Sequence, residues 1–349
     1  MEWTAGPARR RCLIAAAAVA GAMAAPAGAG ATLLALSPRD GGNIANDIVV
    51  ANNNGSARRV VVPNAIEAAA RISPNGRLIA MTMIGKTATT IISAATGATV
   101  SQRFTSDLCA GWTPDSKALI CYLKPPITPQ FGFYRIDAAT GATTLIAPGT
   151  FTGAAISPDG KKIAAIFNLA ASGPGQRLEV IDVKTHRVKV LFRGKVEAPV
   201  YGPNQIAFSR VTQPKNQSFP SENVWAVKPN GTGLRRLTRF KPIVRQAGGF
   251  ILYGLLPVAW SRNRILAEAV TQQGVLPFDS WAVDPVKRRY RKISQHLAPQ
   301  GLSRDGRFVL GETGTNNSFT AHPNVVRVPW TGGRAVILLR NARAASWTQ

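Results

Sequence analysis

One short pattern recurs along the chain and restricts the folds open to it. Ile72-Ser73-Pro74-Asn75-Gly76-Arg77, Trp112-Thr113-Pro114-Asp115-Ser116-Lys117, Ile156-Ser157-Pro158-Asp159-Gly160-Lys161 and Leu302-Ser303-Arg304-Asp305-Gly306-Arg307 are near copies of one another. Tyr201-Gly202-Pro203-Asn204 and Trp260-Ser261-Arg262-Asn263 keep the outline in degraded form. The small residue in second place falls at 73, 113, 157, 202, 261 and 303, spaced by 40, 44, 45, 59 and 42 residues. Periods of roughly 40 to 45 residues are those of propeller blades.

Each copy has a physical logic. A large apolar residue precedes the small one, as the end of a buried strand would. Pro-Asp-Gly or Pro-Asn-Gly then presets one backbone angle and supplies a residue that tolerates positive φ where the chain reverses. An apolar stretch follows at once (Leu78 to Met81, Leu119 to Tyr122, Ile163 to Phe167), so each copy reads as a hairpin. A second hairpin signal comes later in each unit, as in Tyr134 to Gly141, Val180 to Thr185, Trp225 to Gly231 and Trp281 to Pro285. Every unit therefore holds four strands, A to D, the content of one propeller blade.

The two ends of the chain complement each other. Ser346-Trp347-Thr348-Gln349 repeats the apolar-plus-small signature 45 positions after Ser303, as a lone A strand. Thr32 to Ser37 and Asp47 to Val62 supply B, C and D strands without an A strand. The expectation is an all-β, seven-bladed β-propeller of four-stranded antiparallel blades. The C-terminal strand would close it by pairing with the N-terminal blade, leaving no open edge between first and last units.

The Ser-Pro-Asp-Gly hairpin, followed by a second turn of the Asp137-Ala138-Ala139-Thr140-Gly141 type, resembles the TolB-like, WD-repeat-like propeller repeats of bacterial exported proteins. The resemblance spans essentially all of residues 32–349 and implies the fold while saying almost nothing about activity. It covers the propeller only, and no counterpart of the N-terminal α/β domain of TolB is expected.

Residues 1–31 differ from the rest. Arg9, Arg10 and Arg11 precede a small apolar run from Cys12 to about Ala25, and Ala29-Gly30-Ala31 would suit a signal peptidase cutting before Thr32. The run is mostly alanine and falls short of the roughly 20 residues a spanning helix needs. The expectation is a signal peptide over 1–31, a single propeller over 32–349, and an exported product, periplasmic or extracellular. Cys109 and Cys121 are then the only remaining cysteines. If Trp112 faces Ala118, antiparallel register sets position 109 opposite 121, so an oxidising compartment would allow a disulfide; otherwise they are two small buried thiols.

Function has to come from sites rather than fold. The short turns share one face of the expected propeller, and the B-to-C and D-to-A loops share the other. These are Lys124 to Gln130, Asn168 to Gln176, Arg210 to Glu222, Thr271 to Phe278, Thr313 to Asn324 and the long connection Arg239 to Pro257. Variable loops on a rigid scaffold are where binding concentrates. The candidate binding residues there are Phe131, Lys215, Phe219, Arg239, Lys241, Arg245, Phe278, Phe319 and His322. The four phenylalanines would form either an aromatic rim for a peptide or sugar, or packing between blades.

With 42 basic against 17 acidic residues the net charge is +25, and +23 once the three arginines and one glutamate of residues 1–31 are removed. Such a surface attracts anionic partners. Many of the charges, such as Arg235, Arg236 and Arg288 to Lys292, fall on outer D strands, where they also guard exposed sheet edges. Three histidines in separate units, no metal-ligand spacing, no nucleophile elbow and no phosphate loop leave no visible catalytic set, no cofactor and no metal. Asp115, Asp159 and Asp305 read as turn formers.

The sequence thus points to a monomeric, non-enzymatic binding scaffold for a protein, a peptide or an anionic envelope polymer. Association with a membrane surface is compatible with the charge, and export argues against nucleic acid. A hydrolase or lyase acting over the central channel, and a structural envelope component, are the alternatives.

Overall fold

The computed structural model of the chain describes residues 32–38, 45–83, 88–104, 109–125, 128–168, 175–213, 220–244, 251–271, 279–303, 305–313 and 323–348. The described residues are all-β, in small antiparallel sheets of the β-propeller kind. One repeat shows how sequence sets strand. Phe151–Ile156, Lys162–Phe167, Arg177–Asp182 and Val188–Arg193 lie side by side in that order.

Its first turn is built from the repeat motif. Ser157 Oγ donates to Asp159 Oδ1 at 2.6 Å, and the Lys161 amide donates to the same oxygen at 3.1 Å. The Lys162 amide donates back to Ser157 Oγ at 2.9 Å, so three side-chain bonds hold one reversal. Gly160, at φ +72°, takes the left-handed position. Ser73/Asn75, Thr113/Asp115 and Ser303/Asp305 repeat the arrangement. In the second turns, Asp137, Asp182 and Asp284 each accept two backbone amides on Oδ1.

Both faces of the B strands are covered, which is why they read as unbroken apolar runs. Ala118–Leu123 is buried at all six positions. Trp112, Leu119 and Tyr134 pack against Ala80 and Ile91 of the preceding unit, while Ile120 and Phe133 pack against Ile163 and Ile181 of the following one. Full burial of a side chain such as Phe133 stabilises by about 2 kcal/mol, so the core runs from unit to unit.

Seven separate four-stranded sheets are not what forms. Hydrogen bonding joins the strands into five sheets, of seven, four, four, nine and four strands, the nine including two short strands that pair off the main path. The seven-stranded sheet arises because Arg59–Ile72 is one continuous 14-residue strand. It pairs with Ala45–Asn52 up to Ile66 and with Leu78–Met83 from Glu67 onward, where a break between D and A strands had been expected. The nine-stranded sheet arises from a single parallel bridge, Glu222 to Gly254, between Ser221–Val227 and Ile251–Ser261.

The C-terminal strand Arg343–Trp347 pairs antiparallel with Thr32–Pro38, through Leu33 to Trp347 and Leu34 to Ser346. The Thr348 amide donates to the Thr32 carbonyl at 2.9 Å, and Trp347 Nε1 donates to the Leu302 carbonyl at 3.0 Å. Trp112 Nε1 makes the same kind of bond to Arg71 of its preceding unit.

Candidate functional site

The expected binding residues divide by what is described. Lys215, Phe219, Arg245, Phe278, Phe319 and His322 lie outside the described residues. Arg239 and Lys241 are exposed on the long connection after Arg235–Arg236, and the Arg239 carbonyl accepts from Tyr290 Oη at 2.9 Å. Phe131, 46% exposed, sits just before Gly132–Asp137. Its ring stacks on Tyr122 with centroids 6.3 Å apart, and Tyr122 in turn meets Phe133 and Phe151 edge-on. Phe151 continues to Phe167, whose face carries the Arg177 guanidinium at 4.1 Å. The cluster packs two adjacent units together, with Phe131 as its outermost ring.

Cys109 and Cys121 lie directly opposite in the Cys109–Trp112 and Ala118–Leu123 pairing and are disulfide-bonded, with Cα atoms 3.9 Å apart.

The acidic residues separate into two populations. Asp115, Asp137, Asp159, Asp182 and Asp305 sit in the short turns, and hydrogen bonds from their own turns hold each carboxyl below the usual carboxylate range. Glu179, Glu197, Glu222, Glu268, Asp279 and Glu312 occupy the halves of their strands nearer the irregular loops. These carboxylates reach their places from different strands.

Glu222 shares with Glu268 the largest rise among these carboxyls. It is 3% exposed, and its Oε2 has no hydrogen-bond partner. Burial pushes its pKa up to about 7, and the charge of nearby Glu197 adds to the rise. Lys195 opposes the rise, as does the neighbouring Ser209 hydroxyl, although no bond of ordinary geometry links Ser209 to the carboxyl. Lys195 Nζ stands 3.9 Å from Glu197 Oε1 at the exposed side of the pair. Burial first, and then the charges of Glu222 and Glu197, raise the Tyr253 phenol. Gly254 explains the close approach. A Cβ there would overlap the Glu222 Cβ and come within 2.9 Å of its carbonyl oxygen.

A second pair stands one and two units further on. Burial pushes Glu268 up to about 7, with the Glu312 charge as the secondary cause, and Glu312 Oε1 accepts from Gln300 Nε2 at 2.9 Å. Glu179 is pushed up by burial against the opposing charge of Arg177, with which it forms an ion pair. Asp279 instead pairs with Lys292 at 3.1 Å. Among the described residues, no three of His, Cys, Asp and Glu gather in an arrangement that could hold a metal ion.

A carboxyl with a pKa near 7 can hold or release a proton at neutral pH, and so can donate as well as accept a hydrogen bond. Sequence reasoning missed these glutamates because the partners lie 25 and 44 residues apart on different strands. The one signal that was available is polarity out of place at Glu268, which interrupts the apolar run Ile265 to Val270 in a chain with few acidic residues; Glu222 and Glu312 stand beside small or polar neighbours and carry no such mark.

No protein-family profile and no curated protein matches the chain in sequence. Solved structures do match its fold. A prolyl endopeptidase is 14% identical with a TM-score of 0.61, over 91% of this chain and 50% of its own, so the chain spans about half the length of that enzyme. An oligogalacturonate lyase in complex with manganese is 14% identical with a TM-score of 0.58, over 90% of this chain and 86% of its own. An uncharacterized protein from Listeria monocytogenes is 14% identical with a TM-score of 0.56, over 88% and 92%. TolB from Acinetobacter baumannii is also among the neighbours, but its TM-score of 0.46 carries no argument. Together with the sheets described above, these likenesses define a β-propeller protein and go no further than the fold.

Proposed function

We propose that the chain is an exported β-propeller scaffold that binds a protein or peptide through its irregular-loop end. Counted by repeat unit rather than by continuous sheet, it has seven blades, closed by the C-terminal strand. Two features support that count. The pairing of each A strand with its B strand slips by a bulge at a similar place, in all seven such pairings. The two wide sheets are also each joined at one point between repeat units. Export rests on the reading of residues 1–31, and kinship with TolB-like repeats rests on the turn motifs.

The observation that carries the binding reading is the division of carboxylates. Those of the short turns are consumed by their own backbone, whereas the loop half of the strands holds two coupled glutamate pairs and one buried oxygen without a partner. Among the carboxylates, unused hydrogen-bonding capacity therefore lies at the loop end, where peptide amides or an amino group would complete it. An anionic polymer suits that end poorly.

The test is capture from envelope extracts at low and high salt, comparing the wild type with Phe131→Ala combined with Lys241→Ala, and with a turn-end control, Lys117→Gln. Salt-resistant capture of one partner, lost only in the loop-end variant, is expected. Equal capture by all three proteins overturns the reading.

The enzyme alternative has one observation in its favour, namely two carboxyls near pKa 7 in a fold shared with an endopeptidase and a lyase. Turnover of peptides or oligogalacturonate that Glu222→Gln abolishes would establish it, and absence of turnover on both would remove it.

A further inference from the structure

The short-turn end carries a surface that neither turn chemistry nor edge protection accounts for. Two second turns of adjacent units, Lys228 to Leu234 and Asp284 to Arg288, are tied together by Arg235 Nη2, which donates to the Pro285 carbonyl at 3.2 Å. Val286, 69% exposed and the most exposed large apolar side chain among the described residues, stands at the tip of the second, and Leu234, 41% exposed, follows the Lys228 to Thr232 reversal of the first. Exposed Lys228, Lys287, Arg288 and Arg289 lie on the same two turns or at the start of the strand that leaves the second.

The only acid in either turn is Asp284, and its Oδ1 is already occupied by the amides of Val286 and Lys287. Among the described residues, no ion pair engages any of these cations. The surface continues into the next unit, where Arg291 donates to the Trp330 carbonyl and Arg264 lies over the Trp330 ring at 5.7 Å.

Edge protection explains basic residues along outer strands, but it gives no reason for an exposed valine and leucine on neighbouring turns. Solubility would favour polar residues at both. A soluble polyanion would be served by the charge alone. Exposed aliphatic side chains beside unpaired cations fit a flat anionic surface with an apolar interior, in which the cations meet headgroup phosphates while the aliphatic side chains enter the acyl boundary.

We propose that this face, built on the turns around Leu234 and Val286, docks the protein on an anionic lipid bilayer and leaves the irregular-loop end pointing away from the membrane.

The experiment is flotation of the full chain with vesicles of phosphatidylcholine alone or with about one third phosphatidylglycerol. Four proteins are compared: wild type; Lys287→Gln/Arg288→Gln/Arg289→Gln; Leu234→Ser/Val286→Ser; and a control, Lys117→Gln/Lys161→Gln/Lys162→Gln, on other short turns. Residues 1–31 are common to all four, so differences between proteins report the surface.

Each cation near an anionic bilayer contributes about fivefold in partitioning, so the triple patch variant should lose roughly 100-fold on the anionic vesicles, with the control close to wild type. The apolar variant should bind more weakly by about tenfold, and that loss should persist at high salt, where charge attraction is screened. Equal loss in the control and patch variants would mean net charge alone and would overturn the proposal. So would unchanged binding by the apolar variant, combined with full displacement by soluble polyphosphate, which would assign the patch to a polyanion instead. Unchanged melting temperatures in all variants establish that folding is not the cause.

Discussion

Replacing Glu222 by glutamine should change how stability depends on pH, and the size of the change follows from its surroundings. Its carboxyl rises from an ordinary 4.5 to about 7, mainly through burial. At about 1.4 kcal/mol per unit, ionising it in the folded protein costs about 3 kcal/mol more than in the unfolded chain. Between pH 4.5 and 7 the folded state keeps a proton that the unfolded state has lost, so this contribution to stability falls as pH rises and levels off above 7. Glutamine cannot ionise. The stability of wild type relative to Glu222→Gln should therefore drop by about 2.5 kcal/mol between pH 5 and pH 8, or roughly 4 °C in melting temperature for a chain of this size. Any fixed cost of burying an amide moves the whole difference curve without tilting it. Equilibrium unfolding of both proteins in matched buffers reads the slope directly. A flat difference, or one that favours wild type as pH rises, would refute the burial argument. The turn aspartates act in the opposite sense. Their depressed pKa values mean stability present above the normal carboxylate range and lost as pH falls through the folded values, so the protein should be most stable near pH 4 to 5.

Other outcomes follow from single contacts. Glu197→Gln should move the Glu222 titration to lower pH, because the Glu197 charge is the second cause of the rise; an unchanged midpoint in a pH-dependent unfolding series would contradict that. Gly254→Ala should destabilise by roughly 1 to 3 kcal/mol by pressing a methyl into Glu222, measured as a shift in denaturant midpoint, and a neutral result would mean the two strands do not approach as described. Replacing both Cys109 and Cys121 by serine should cost about 3 kcal/mol by loss of a short covalent loop, checked by unfolding with and without reductant.

Turns were legible because their chemistry is local. Ser157, Asp159 and Gly160 hold one reversal among themselves, so three neighbouring letters announce it. The opposition of Cys109 and Cys121 was legible for a similar reason, since a tight turn fixes the register on either side of it. The boundaries between sheets were not. Arg59–Ile72 passes from one pairing into the next between Ile66 and Glu67, where no proline or glycine marks the change, and Pro63 lies within the first pairing rather than ending the strand. The bulges also left no letter code, since Ala198, Val258 and Gln300 share no property except position. The glutamate pairs depend on strands folded beside each other from distant parts of the chain, which periodicity does not encode. Phe131 was expected to serve either as a rim or as packing, and its stacking on Tyr122 gives it a place in a cluster between units while leaving half the ring to solvent.

Amide hydrogen exchange at the two chain ends probes the proposed closure of the ring most directly. Residues 343–348 and 33–36 should be protected together, to the level of the adjoining Thr32–Pro38 and Ala45–Asn52 pairing, because Leu33 and Leu34 face Trp347 and Ser346 in one sheet. Rapid exchange of the 343–348 amides in a protein whose remaining strands stay protected would mean that the last strand does not complete the first blade, and the ring would have to be abandoned.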